Sequence, residues 1–146
     1  MLIGIDLGTT NIKAVATEVS GRILGAGSAP VETWHVGAAG VEQDADQIYD
    51  ATRLALAQLG RQVDLAKARA LGVSSQGGAM VVRDKSGRPA GRVISWLDGR
   101  AAEENDRLTS ELGADWFVER IGHAGAGLAD GQILRLRDAG ALPEGS

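Results

Sequence analysis

The chain has 146 residues, with 15 Lys and Arg against 19 Asp and Glu, no cysteine and a sequence pI near 5.1. That length suits one domain with a real core, the acidic balance disfavours nucleic acid and anionic membranes as partners, and the missing thiols exclude disulfides and cysteine-ligated metal. No apolar run approaches the ~20 residues of a membrane span, and the opening run is cut short by Asp6, so the sequence reads as a soluble cytoplasmic protein.

Glycine is in excess, 21 residues, about twice the usual share, which implies many turns or close backbone approaches. The stretch from Leu2 to Leu7 reads as a buried strand stopped at Gly8, and Ile12 to Val19 as a second strand in which Ile12, Ala14 and Ala16 alternate with Lys13, Val15 and Thr17. A hairpin joins them, with Asn11 expected as the left-handed residue of the turn. Ser20 and Gly21 make the next turn, and a third strand runs to about Pro30, completing an antiparallel meander. The period then becomes helical in "DADQIYDATRLALAQLG". Asp44 is the expected N-cap with Gln47 as its reciprocal partner, Ile48, Ala51, Ala55, Leu56 and Leu59 form one face, and Gly60 closes the helix. The strand that follows, in "ARALGVSSQGG", is reached through a helix and is therefore expected to run parallel and to be buried on both faces. "MVVRDKSGRPAGRVISW" reads as a hairpin-like pair turned at Lys85 to Gly87. Beyond Asp98, "GRAAEENDRLTSELG" and "LADGQILRLRDAG" read as helices stopped by Gly113 and Gly140.

Two places carry chemistry. In the first, a strand ends in a tight turn of Gly8, Thr9 and Thr10, whose backbone N–H groups and hydroxyls suit phosphate oxygens. Asp6 suits a hydrated Mg²⁺ that screens those phosphates, and Lys13 adds positive charge. Turn chemistry alone also accommodates a plain hairpin with a solvated aspartate. In the second place, Gln76, Trp96 and Asp98 offer the donors, acceptors and apolar wall that a polyol needs. The competing reading makes Trp96 a core residue, Asp98–Gly99 a common turn pair and Arg100 a surface cap or ion-pair partner. His35 and His123 lack the spacing of a metal site.

"GIDLGTTNIK" resembles the first phosphate-binding segment of the actin-like ATPase superfamily, which unites sugar kinases, actin and the seventy-kilodalton heat-shock chaperones on a ribonuclease H-like α/β core. The chaperones share the opening through "GIDLGTTN". The segments "GVEQDADQIYDA", "ALGVSSQGG", "DKSGRPAGRVISWLDGR" and "EENDRLTSELG", in that order, resemble the N-terminal region of FGGY-family carbohydrate kinases up to about Asp138. The resemblance implies an ATP-dependent sugar or polyol kinase that uses Mg²⁺, with residues 1–146 forming the opening part of its sugar-binding domain. It places Asp6, Gly8, Thr9, Thr10 and Lys13 at the nucleotide phosphates and the metal ion, held through water at Asp6. It places Gln76, Gly77, Gly78, Trp96, Asp98 and Arg100 at the sugar.

Three departures stand out. Gly77 and Gly78 replace the pair that follows this glutamine in glycerol- or xylulose-specific members, so the sugar stays open. Gln132 and Arg135 stand where the family carries an aromatic and a lysine. The family's catalytic aspartate and its adenine-binding second domain are expected beyond Ser146, so no catalytic base is assigned and the isolated chain is expected to transfer phosphate slowly or not at all. Other readings are a stand-alone sugar- or nucleotide-binding module completed by a separate chain, and a chaperone-type ATPase fragment. An incomplete sheet is expected to leave an edge through which the chain self-associates.

Overall fold

The computed structural model describes residues 1–127 and 129–143. These fall into two compact units, Met1–Thr33 with Gln43–Gln76, and Trp34–Glu42 with the chain from Gly77 onward.

In the first unit the meander forms as expected: β1 (Leu2–Leu7), β2 (Asn11–Thr17) and β3 (Ile23–Pro30) pair antiparallel. β2 ends two residues earlier than Val19, because Glu18 turns the chain by accepting from the Gly21 N–H. Asn11 opens β2 opposite Pro30 and so belongs to the ladder rather than to the turn. Ile3 and Ile5 of β1, with Ile12, Ala14 and Ala16 of β2, are buried at every second position. That alternation is a sheet with one face turned to a core. Helix α1 (Ala45–Gly60) covers this face with Ala51, Ala55 and Leu59. Full burial of Ile12 and Leu59 contributes about 1.5–3 kcal/mol each.

The Asp44 side chain caps α1 by accepting from the Asp46 and Gln47 N–H groups. The reciprocal bond expected from Gln47 does not form, because its side-chain oxygen instead accepts from the Glu32 N–H at 2.8 Å, fastening the helix start to the end of β3. Gly60 is the last helical residue rather than a stop beyond it; Arg61, still right-handed, is the C-cap. After a single 3₁₀ turn at Leu65–Lys67 the chain enters β6 (Ala70–Ser75), parallel to β1 as expected, giving the sheet order β3-β2-β1-β6. The expected burial of β6 on both faces is not found. All six residues are exposed, with Leu71 at 54% and Val73 at 59%. Among the described residues the strand lies at the sheet edge with β1 as its single partner, and α1 packs chiefly on β3 and β2 rather than over β6.

The second unit contains β4 (Trp34–Val36), β5 (Gly40–Gln43, whose Gln43 belongs to the first unit) and β7 (Val93–Ile94) in the order β4-β5-β7, and, among its described residues, three helices. The hairpin-like pair around residues 80–94 is reduced to isolated bridges, Met80 with Ile94 and Arg83 with Pro89. Its turn falls where expected, because the Asp84 carboxylate takes the Ser86 and Arg88 N–H groups. Helices α2 (Ala102–Leu112) and α4 (Asp130–Asp138) match the two expected helices, and Gly113, with φ +83°, ends the first. An unexpected helix, α3 (Ala114–Ile121), buries Phe117 with Trp116 edge-on to it at 5.0 Å. None of the described helices is long and apolar enough to cross a membrane.

Candidate functional site

In the first unit the carboxyl ends of β1 and β6 lie side by side, and the Gln76 N–H donates to the Leu7 carbonyl at 3.1 Å. Strand ends of this kind are where open α/β sheets bind ligands. The turn Gly8–Thr10 emerges from one strand and Gln76 from the other. Gly8 must be glycine, since a Cβ there would lie 2.7 Å from the Asn11 carbonyl oxygen. Asp6 and Lys13 face each other across the β1–β2 ladder, both exposed, with Ser74 next to Asp6 in the β6 register and Ser28 next to Lys13 in that of β3. Paired positions share a face, so this row of polar side chains lies on the side of the sheet away from α1. A wide concavity of about 810 Å³ opens there, lined by Asp6, Lys13, Val15, Ala26, Ser28 and Ser74 among others.

A closed set of hydrogen bonds ties the turn to Gln76. The Thr9 hydroxyl donates to Gln76 Oε1 at 3.3 Å, Gln76 Nε2 donates to Gln43 Oε1 at 2.6 Å, and Gln43 Nε2 donates to the Thr9 carbonyl at 2.8 Å. Gln43 is wholly buried, so its amide depends on these partners.

In the second unit, Trp96 and Leu97 form the tip of a tight turn after β7, 52% and 49% exposed. Trp96 is therefore not a core residue. The turn is closed by the Asp98 N–H donating to the Ser95 carbonyl at 3.0 Å and by the Ser95 hydroxyl accepting from the Leu97 N–H. Asp98 has a fully buried side chain. Its oxygens accept from the Val41 N–H at 2.8 Å, the Arg100 N–H at 3.0 Å, the Arg100 guanidinium and Gln132 Nε2 at 2.9 Å. Burial works to raise its pKa, but the bonds from Arg100, Val41 and Gln132 together outweigh it and hold the carboxyl below its ordinary range. Arg100 is shared with Glu42, 2.7 Å away, and Arg135 Nε donates to Gln132 Oε1 at 2.9 Å. With all its lone pairs engaged, Asp98 reaches a ligand hydroxyl only by giving up one of these bonds. Gly77 leaves open space where a side chain would stand, whereas Gly78 has φ +79°.

A family model described as the FGGY family of carbohydrate kinases, N-terminal domain, matches residues 1–131. The chain belongs to that family. It is 33% identical over 124 residues to a glycerol kinase of Pseudarthrobacter chlorophenolicus, covering 83% of this chain and 25% of that protein. To a xylulose kinase of Klebsiella pneumoniae it is 32% identical over 114 residues, covering 78% and 24%. The chain thus spans about a quarter of the length of the curated relatives it matches. The solved xylulose kinase of Rhodospirillum rubrum superposes with a TM-score of 0.83 at 24% identity, over 94% of this chain and 29% of that one, a likeness of fold alone.

Membership in the FGGY family sets aside the chaperone-type reading, which shares the opening motif but not the later segments. The mixed sheet agrees with the α/β class the resemblance implied. The structure adds two residues that sequence reasoning passed over, Gln43 and Glu42, and it joins Gln132, noted above only as a departure from the family, to Asp98. Gln43 lay inside the quoted "GVEQDADQIYDA" segment, but its burial and its contact with Gln76, 33 positions on, are properties of the fold. Among the described residues there is no cluster of three or more His, Cys, Asp or Glu able to hold a metal by itself. The donor set around Asp6 is a single carboxylate, which fits a Mg²⁺ ion that keeps most of its water and is otherwise held by phosphate.

Proposed function

We propose that this chain is the opening part of the sugar-binding domain of a cytoplasmic, ATP-dependent carbohydrate kinase that transfers the γ-phosphoryl group of ATP to a hydroxyl of a sugar or polyol. The observation that carries this reading is the hydrogen bond between Thr9, in the phosphate-type turn, and Gln76, at the end of the neighbouring strand. Phosphoryl transfer needs donor phosphate and acceptor hydroxyl held against each other, and this contact supports the reading by setting a phosphate-type turn beside a glutamine suited to a hydroxyl.

In this reading Gly8, Thr9, Thr10 and Lys13 bind the terminal phosphates, and Asp6 organises the water shell of Mg²⁺, which when bound supplies charge neutralisation there. Gln76 hydrogen-bonds the sugar. Trp96, exposed at the tip of its turn, offers an apolar wall for a sugar's C–H face. Asp98 and Arg100, engaged with each other and with Glu42, act by holding that turn rather than by touching sugar. Gly77 stands in open space after Gln76, and Gly78 carries no side chain either, so the acceptor is chosen without large side chains at those two positions. The carboxylate that accepts the sugar's proton is supplied from outside residues 1–146.

The test is ADP release by the full-length protein with Mg·ATP across a panel of polyols, pentoses, hexoses and sugar acids, with product mass measured. Acceptor-dependent ADP release with a phosphorylated product supports the reading. Binding without transfer, or ATP hydrolysis indifferent to every acceptor, contradicts it.

A further inference from the structure

We infer that Gln43 is a positioning residue for the sugar acceptor, fixing the amide of Gln76 by closing a one-way ring of hydrogen bonds through the Thr9 turn. The inference rests on the reading above that Gln76 contacts the sugar.

The ring has a forced polarity. The Thr9 carbonyl can only accept, so the nitrogen of Gln43 faces it, at 2.8 Å. The oxygen of Gln43 is thereby turned toward Gln76, whose nitrogen donates to it at 2.6 Å. The oxygen of Gln76 is then left to accept from the Thr9 hydroxyl, at 3.3 Å. A second tie holds Gln43 in place, because its nitrogen also lies 3.3 Å from Thr33 Oγ1. With Gln43 fully buried, water has no access to replace any of these partners.

The consequence falls on Gln76, which is only half-buried. Once the ring is closed, its amide keeps one N–H and one carbonyl lone pair for a ligand, in a fixed orientation. A donor and an acceptor held on one rigid amide plane suit neighbouring hydroxyls of the sugar or polyol. A free glutamine would lose side-chain freedom on binding, and here that freedom is already lost in the fold. The Thr9 carbonyl has a second donor in the Thr33 hydroxyl, 3.3 Å away, so removing Gln43 disturbs the phosphate turn less than it disturbs Gln76.

The test is a double-mutant cycle in the full-length enzyme, with Gln43→Met, Gln76→Met and both together. KM for the acceptor and for ATP are measured with a melting curve for each protein. Gln43→Met should raise the acceptor KM on the order of tenfold and the ATP KM much less. In the Gln76→Met background it should add nothing, because its effect passes through Gln76. Unchanged acceptor KM, equal rises in both KM values, or effects that multiply in the double mutant each overturn the inference. If Gln43→Met fails to fold, Gln43→Asn carries the same cycle, since it keeps a buried amide but withdraws it by one methylene. An active wild type with multiplying effects defeats this inference alone, whereas a wild type that phosphorylates no acceptor defeats the kinase reading and this inference with it.

Discussion

Asp98 and Gly78 carry the predictions that belong to single residues. The Asp98 pKa is depressed in the folded chain, so its contribution to stability is fully present above the ordinary value of 3.8 and is lost as pH falls below that value and through the folded pKa. Asp98→Asn should remove that part of the acid limb of stability. At neutral pH it should cost about 3 kcal/mol, the cost of breaking a buried pair, moderated by the Glu42 carboxylate that still faces Arg100. Urea midpoints of both proteins from pH 7 to pH 3 check this. Gly78 is left-handed, so Gly78→Ala should cost about 1–2 kcal/mol, while Gly77→Ala, entering open space, should leave the melting temperature nearly unchanged. Residue-level reading succeeded where chemistry is local, as at the Asp44 cap, and failed where the partner is remote. Nothing in the sequence around Gln47 says that its amide will accept from Glu32, and nothing around Gln43 names Gln76.

Strands β1 to β3, α1, the parallel β6 and helices α2 and α4 were legible because each repeats its period long enough to be read. β4 and β7, at three and two residues, are too short to show a period. α3 occupies only eight residues between Gly113 and Gly122, and its apolar Trp116, Phe117, Val118 and Ile121 were passed over as a connection. The error on β6 has a different origin. Its apolar run does suit a doubly covered strand, yet covering depends on what packs there, and α1 stops short of it. Leu71 and Val73 continue the apolar face of Ile3 and Ile5 past the edge of the helix. A fragment of residues 1–146 made alone should therefore associate in a concentration-dependent way. Val73→Lys should reduce that association, and sedimentation of the unsubstituted fragment as a compact, cooperatively unfolding monomer would contradict it.

For the molecule as a whole, a kinase requires the β1 turn to handle phosphate rather than merely reverse the chain. Composition disfavoured nucleic acid and excluded cysteine-bound metal, and motif order carried the family, but the link between the turn and Gln76 became visible only when β6 was placed beside β1. Asp6 decides between the two readings, because its side chain is exposed and makes no hydrogen bond or ion pair among the described residues. The direct measurement is kcat of the full-length enzyme with Asp6→Asn, at saturating acceptor and Mg·ATP, alongside its melting curve. A phosphate site predicts an unchanged melting temperature with kcat reduced about a hundredfold or more. A kcat close to wild type would contradict it and return Gly8–Thr10 to the status of a hairpin turn.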